Sequence, residues 1–181
     1  MEAGKYYHIY NRGNNKENIF KENKNYEFFL NQYDKYLTSN VNTYCYCLMS
    51  NHFHMFIQIK DEAESEEVIK AFKNFFISYA KAINKSYNRT GSLFQSKFKK
   101  KQIDNDYYFS MIVAYIHLNP VRAQIVKYPQ DWNHSSYTSL LSEKPTKLSR
   151  KEVIDWFGNQ EAFIQFHQSF LEESKARQIL F

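Results

Sequence analysis

Residues 49–60 read MSNHFHMFIQIK, a stretch that places two histidines at the start of an alternating apolar pattern. Successive side chains of a β-strand point to opposite faces, so His52 and His54 share a face. The other face then carries only apolar side chains, namely Phe53, Met55, Ile57 and Ile59. The preceding residues 43–49, TYCYCLM, carry no charge and predict a second strand, with the dipeptide SN as a two-residue turn. We therefore expect an antiparallel hairpin whose apolar face lies against a core. Its histidine face should contact a different part of the protein or a ligand.

Outward from the hairpin, the chain predicts the order β-α-β-β-α-β. Residues 5–11, KYYHIYN, favour a strand, and apolar residues recur at helical spacing from 26 to 37. After the hairpin, residues 68–83 show a buried helical stripe, and a strand is expected at about 96–103. This order is the split βαβ arrangement of ferredoxin-like folds. The predicted class is therefore α+β, an antiparallel sheet with helices on one face and extra C-terminal helices.

A further helix is expected from about residue 105. Pro120 should interrupt this helix, because proline has no N–H to donate. The pattern changes after Trp132, where short helical segments follow. No linker or internal repeat divides the chain, so we expect residues 1–140 to form one domain and residues 141–181 to form a helical extension packed on it.

Composition narrows the class of protein. The 181 residues contain no apolar run of the roughly 18 residues that a membrane span requires. The first 20 residues hold no apolar signal core, and Cys45 and Cys47 lie too close along one strand to bridge comfortably. A reduced cytoplasmic protein is therefore expected. The net charge of +5 and the 18% of aromatic residues suit a nucleic-acid binder, although a slightly basic protein with an aromatic core would have the same composition.

The histidine pair is a candidate metal site. Two neutral imidazoles side by side are a common ligand arrangement, although two partly exposed histidines with ordinary hydrogen-bond partners would give the same pattern. Tyr115 and Asn119 are four residues apart and so share one face of the late helix. Ligands from His52, His54 and Asn119 would leave coordination positions open, which suits Mg²⁺ or Mn²⁺ better than a closed zinc site. A tyrosine hydroxyl is a weak nucleophile that becomes useful when a metal polarises its electrophile.

Both helical residues also have plainer interpretations. Tyr115 could be an ordinary core aromatic. Asn119 could be the N-cap of a fresh helical turn that begins with Pro120. His117 lies about 200° around the helix from Tyr115 and is not expected to be a ligand.

Four ordered segments resemble one family. They are YYHIYNRGNN, YCLMSNHFHMFI, GSLFQSKFK and AYIHLNPVRAQIV, followed by WNHSSY. Together they resemble the REP-associated tyrosine transposases, members of the HUH superfamily of single-strand transposases (U is any hydrophobic residue). The resemblance covers about residues 5–140.

The resemblance implies a role for each candidate residue. In that family the HUH histidines, here His52 and His54, bind a divalent metal. The tyrosine before the Asn-Pro motif attacks a DNA phosphate and the asparagine completes the metal site, which implies these roles for Tyr115 and Asn119. The loop after the first strand is implied to recognise a short guide tetranucleotide beside a hairpin, and its residues are Arg12, Gly13 and Asn14.

Separate residues are expected to bind the DNA. Lys97, Lys99 and Lys101 would share one face of the predicted strand, although a solvated edge strand would look the same. The chain departs from the family at Lys97, where arginine is usual and its bidentate contact is lost, and at Ser50, where proline is usual. Further candidates are Arg89 and Arg122 for phosphates and Phe94 or Tyr10 for stacking on bases.

These features predict a metal-dependent endonuclease and strand transferase for single-stranded DNA. It would act on hairpin-containing DNA of the REP or insertion-sequence type through a 5′-phosphotyrosine intermediate. The expected protein is a nucleoid-associated bacterial monomer or homodimer. The alternatives are a non-catalytic DNA or RNA hairpin binder derived from a transposase, a replication initiator or relaxase, and a zinc hydrolase with a further ligand.

Overall fold

A four-stranded antiparallel sheet forms the centre of the protein. The computed structural model describes residues 1–177, and the side chains of residues 1–173. The strands are β1 (Tyr6–Arg12), β2 (Val41–Met49), β3 (His52–Ile59) and β4 (Lys99–Ile103). Their order across the sheet is β2-β3-β1-β4, which is the order of the split βαβ arrangement. The predicted fold class is confirmed.

Six α-helices cover this sheet in the described part of the chain. They are α1 (Asn23–Leu37), α2 (Ser65–Ser86), α3 (Tyr107–Arg122), α4 (Tyr137–Leu141), α5 (Arg150–Phe157) and α6 (Gln160–Arg177). The two helices of the βαβ units, α1 and α2, share a core with one face of the sheet, as expected. The later helices cover the other face, where α3 packs on β2. No helix among the described residues is long and apolar enough to cross a membrane.

The alternation along β3 explains why both faces are covered. Phe53 and Ile57 point to the α1–α2 side and are fully buried there. Phe56 points to the other side, where its ring packs against Phe109 of α3 and Trp156 of α5. The two-residue turn after Met49 confirms the predicted hairpin and fixes this register, since a slip of one residue would exchange the two faces.

The fourth strand is shorter than predicted. It begins at Lys99 rather than near residue 96, so Lys97 lies in the preceding loop and not on the strand face. Phe98 instead packs on Phe72 and Phe76 of α2. This loop is held across the end of β1 by a single bridge between Gly13 and Phe94, which replaces regular strand pairing there.

Pro120 does not interrupt α3, contrary to the sequence prediction. The helix runs through it to Arg122, so Asn119 is not an N-cap. Pro120 cannot donate to the carbonyl of Ile116, four residues earlier. The side-chain amide of Asn119 supplies a long substitute, because Nδ2 donates to the carbonyl of Ile116 at 3.4 Å in addition to that of Tyr115 at 2.9 Å.

A buried histidine pair joins α6 to α3. Nδ1 of His117 lies 3.1 Å from Nε2 of His167, and the other nitrogen of His117 lies 2.8 Å from Oγ of Ser136. Nδ1 of His167 donates to the carbonyl of Phe163 at 2.7 Å. Both imidazoles are almost fully buried, and burial lowers both pKa values, that of His167 to about 4.

We expect this pair to make the fold sensitive to acid. The unfolded chain binds a proton on His167 below its ordinary pKa of 6.5, whereas the folded chain does so only near 4. The stabilisation is therefore complete above pH 6.5, is lost as the pH falls towards 4, and amounts to about 3 kcal/mol for this group. Urea unfolding of wild type and of His167→Gln at pH 7.5 and 4.5 should show a smaller acid loss in the variant. Equal losses in both proteins would contradict this prediction.

Candidate active site

The register of the sheet gathers the candidate residues on one face. Antiparallel pairing places Arg12 opposite His52 and Tyr10 opposite His54, and paired residues point to the same side. On the far side of β1, Tyr10 pairs with Lys99. This face, from β1, β3 and β4, is the one covered by α3.

The two histidines of β3 present neutral imidazoles. Their ring centroids are 5.3 Å apart, with the planes nearly perpendicular. Burial lowers the pKa of His52 to about 4, with a smaller contribution from Arg12. Burial, with the neighbouring His8 and His52, holds the pKa of His54 well below its usual range. Neutral imidazole is the form that binds metal, so both rings are ready as ligands near neutral pH.

Tyr115 lies over this face. Its ring centroid is 5.6 Å from that of His54 and 6.0 Å from that of His8, both edge-on. The guanidinium of Arg122 lies 5.5 Å from the centre of the tyrosine ring. Burial raises the pKa of Tyr115, while Arg122 and a hydrogen bond from Asn119 partly oppose this rise. The hydroxyl is therefore protonated at neutral pH, although the charge of nearby Arg122 favours its ionised form.

The side chains on α3 lie as their spacing predicted. Tyr115 and Asn119 share the face towards the site, whereas His117 points into the core towards α6. Because Nδ2 of Asn119 donates to carbonyls of its own helix, its side-chain oxygen is the atom that could serve as a ligand.

His8 is the residue that sequence reasoning missed. It lies on the same face of β1, with its Nε2 atom 2.9 Å from Nδ1 of His54. Its ring stacks on that of Tyr10, and burial with nearby Lys101 lowers its pKa to about 4. The segment KYYHIYN indicates a strand, but only the pairing of β1 with β3 shows that its histidine meets the hairpin.

A cleft of about 610 Å³ opens beside these groups, between the end of β4 and α3. Its walls combine the polar side chains of His8, His54 and Lys101 with aromatic rings from Tyr108 and Phe170. Tyr108 is half-exposed at its rim. A cleft with one cationic edge and flat aromatic walls is suited to a nucleotide.

The structure separates the predicted DNA-binding residues into two groups. Lys99 and Lys101 are exposed and lie on the site face, and Arg122 is beside Tyr115. Phe94, by contrast, is only 6% exposed, because its ring packs against Phe76, so its predicted stacking on a base is wrong for this conformation.

Two other cationic side chains that were predicted to contact DNA, Lys97 and Arg89, are not grouped with Lys99 and Lys101. Lys97 is exposed, but it lies in the loop before β4 and not beside Lys99. Arg89 forms an ion pair with Glu17 and donates to Asn84, which gives it a structural role.

The loop after β1 has a fixed shape. The N–H of Gly13 donates to the carbonyl of Asn51 in the hairpin turn at 2.8 Å. A Cβ atom at Gly13 would lie 2.0 Å from the carbonyl oxygen of Glu17, so this close approach requires glycine. Arg12 is exposed and Asn14 half-buried. Gly13 thus shapes the loop, and its two predicted partners offer side chains to a ligand.

The donor set fits an octahedral divalent cation. Two imidazole nitrogens and one amide oxygen would come from the predicted ligands His52, His54 and Asn119, and a partly filled set of this kind would leave positions for phosphate and water. Within the described residues, no group of three His, Cys, Asp or Glu side chains is placed to hold a metal. Cys47 lies on the same face as the histidines, but burial raises the pKa of its thiol.

Comparisons with known proteins agree with this geometry. The family model of the IS200-like transposases matches residues 3–119. Among solved structures, a REP-associated tyrosine transposase bound to a REP hairpin superposes with a TM-score of 0.63 and 17% identity, over 80% of this chain and 84% of that chain. No curated protein matches this chain. The structural likeness shows a shared fold, and the family match begins before β1 and ends at Asn119 on α3. Since the family match covers well over half of the chain, including His52, His54 and Tyr115, this protein belongs to the IS200-like transposase family.

Proposed function

We propose that the protein cleaves and rejoins single-stranded DNA beside a hairpin, with Tyr115 as the nucleophile and His52, His54 and Asn119 as ligands of a divalent metal. The observation that supports this most is the position of the Tyr115 ring, 5.6 Å from that of His54 beside a cleft that Lys101 also lines. A tyrosine that served only in packing would have no need of neutral imidazoles and cations around it.

The proposed step conserves a phosphodiester bond. The hydroxyl oxygen of Tyr115 attacks the phosphorus, the bond from phosphorus to the 3′ oxygen breaks, and the proton from Tyr115 ends on that oxygen. The products are a 5′-phosphotyrosine and a free 3′-hydroxyl. Attack by a 3′-hydroxyl on the phosphotyrosine reverses the step and releases Tyr115, which is the usual benefit of covalent catalysis. Arg122 stabilises the phenolate character that develops on Tyr115 as its proton leaves.

The metal would have a specific role in the proposed step. When Mg²⁺ or Mn²⁺ is bound, it neutralises charge on the scissile phosphate and polarises the phosphorus towards attack. His52, His54 and Asn119 hold the ion, and the buried position of the histidines keeps them deprotonated for this purpose. The raised pKa of Tyr115 explains why the tyrosine needs such help.

Hairpin DNA is the proposed substrate. The structurally similar transposase was solved with a REP hairpin, and this chain shares its fold over 80% of its length. Arg12 and Asn14 flank the histidine hairpin and are the proposed contacts to bases next to the stem. We propose that the step uses Tyr115 and His54 of the same chain, whose ring centroids lie 5.6 Å apart. We propose that it acts in the bacterial cytoplasm, where its DNA substrate is found.

The experiment that tests this function is cleavage of labelled single-stranded hairpins taken from the sequence flanking the gene. We expect a covalent protein–DNA adduct with Mg²⁺ or Mn²⁺ and none with chelator. A DNA complex that never yields an adduct would instead identify a non-catalytic hairpin binder. Cleavage without an adduct would identify a hydrolase.

The lysines of β4 provide a prediction for DNA affinity. Lys99 and Lys101 lie on the site face, whereas Lys100 pairs with Ile9 and points to the opposite face. We expect Lys99→Ala and Lys101→Ala each to lower the slope of log affinity against log salt by about 0.7, the value for one single-strand phosphate contact. Lys100→Ala is the matched control and should leave the slope unchanged. Fluorescence anisotropy with a labelled hairpin over a salt series measures it, and equal slopes for all three variants would refute the proposed path of the DNA.

A further inference from the structure

The two proposed metal ligands each have a hydrogen-bond partner at Nδ1. A neutral imidazole has one N–H and one lone pair, and the group bonded to one nitrogen decides which is which. A ligand that binds through Nε2 must therefore carry its proton on Nδ1. The inference below rests on the proposed function, and it concerns what sets that proton.

The partner of His52 is Asn51, the last residue of the hairpin turn. Nδ1 of His52 lies 2.6 Å from Oδ1 of Asn51. The amide nitrogen of Asn51 donates to the carbonyl of Lys16 at 3.2 Å, which fixes the amide with its oxygen towards the imidazole. An amide oxygen only accepts, so the proton of His52 is on Nδ1 and its Nε2 carries the lone pair.

The partner of His54 is His8, and this contact permits two arrangements. Either Nδ1–H of His54 donates to Nε2 of His8 across the 2.9 Å contact, or the direction is reversed. Only the first leaves a lone pair on Nε2 of His54. His8 is buried, and the atom that it turns towards His54 is Nε2, which can accept a proton donated by Nδ1 of His54.

Of the two proposed ligands, His54 lines the cleft, and the ring centroid of His52 lies 5.3 Å from that of His54. Among the described residues, no protein group hydrogen-bonds to Nε2 of His52 or His54. In that same part of the chain, every buried side-chain nitrogen or oxygen has a partner. The two Nε2 atoms are therefore open to solvent, on the face covered by Tyr115.

From this geometry we propose that His8 and Asn51 are positioning residues for the metal site: each accepts the Nδ1 proton of one ligand and so presents its Nε2 lone pair to the cation. His8 does for His54 what Asn51 does for His52. Neither is proposed to ligate the metal itself.

The direct test is the tautomer of His54 in the metal-free wild-type protein. Nitrogen-15 NMR of the imidazoles should show the proton of His54 on Nδ1, with Nε2 unprotonated. A proton on Nε2 of His54 would overturn the proposal for His8. This measurement needs no variant, so it does not depend on whether a substituted protein folds.

Two substitutions at His8 test the consequence for metal binding. His8→Leu fills similar space without an acceptor, whereas His8→Gln places an amide oxygen near the position of Nε2. We expect Mn²⁺ affinity, measured by electron paramagnetic resonance, to fall about 10- to 100-fold in His8→Leu and to be largely restored in His8→Gln. Unchanged affinity in His8→Leu would overturn the proposal.

A matched control separates positioning from loss of stability. His167→Leu also removes one member of a buried histidine pair, but on α6, away from the cleft. It should lower the melting temperature without changing Mn²⁺ affinity, and a loss equal to that of His8→Leu would overturn the proposal. If the wild-type protein neither binds Mn²⁺ nor forms an adduct, the proposed function itself fails. If wild type does both and His8→Leu does so equally well, only the positioning role fails.

Discussion

Tyr115→Phe is expected to abolish the covalent protein–DNA adduct and to lower strand cleavage by at least about 10³-fold, because it removes the only oxygen that the proposed step bonds to phosphorus. The measurement is adduct formation on a labelled hairpin with Mn²⁺, resolved on a denaturing gel. The ring of phenylalanine keeps the edge contact with His54 and the position under Arg122. Folding stability and hairpin affinity should therefore change by less than about 1 kcal/mol.

Tyr108→Phe is the matched control for this result. Tyr108 lies on the same helix and lines the same cleft, but its half-exposed ring stands at the rim. This variant should form adduct at close to the wild-type rate. An adduct that persists in Tyr115→Phe and disappears in Tyr108→Phe would show that the nucleophile has been misassigned.

His52→Ala is expected to slow cleavage about as much as Tyr115→Phe does, even though the proposed nucleophile is still present. Metal assistance is worth several kcal/mol, so we expect a fall on the order of 10³-fold in adduct rate, together with weakened Mn²⁺ binding. His52 is only half-buried, and the one hydrogen bond of its side chain in the described structure is to Asn51, so the fold should tolerate this change better than loss of buried His54.

His134→Ala is the control for the histidine experiment. His134 stacks on Tyr26 outside the cleft and has no part in the proposed site. It should alter neither Mn²⁺ affinity nor adduct rate. Wild-type Mn²⁺ affinity in His52→Ala would show that the metal, if one is used, binds elsewhere.

The hairpin was the most predictable part of the fold. Strict alternation from His52 to Ile59 and an uncharged neighbouring strand determine which side chains face each way, and the structure confirms both strands. The shared face of Tyr115 and Asn119 also follows from local helical geometry alone. These predictions succeed because the information lies within a few residues along the chain.

Other features depend on contacts between distant segments. His8 pairs with His54 across 46 positions, and no local pattern gives that register. Phe94 has the composition expected of a stacking residue, but the loop that carries it folds against α2 and buries the ring. Pro120 was predicted to interrupt α3, but the helix continues through it. There the side-chain amide of Asn119 donates to carbonyls of its own helix, in a turn where proline has no N–H to donate.

The C-terminal helices that cover the second face of the sheet limit how far this chain can be shortened. A fragment cut to residues 3–119 would keep His52, His54, Tyr115 and Asn119. It would lose Trp156, which packs on Phe56 and Phe109, and the other apolar side chains of α5 and α6 that close this core. The exposed patch would favour aggregation over catalysis. Shortened versions of this protein should therefore be trimmed at loops and not by removing its C-terminal helices.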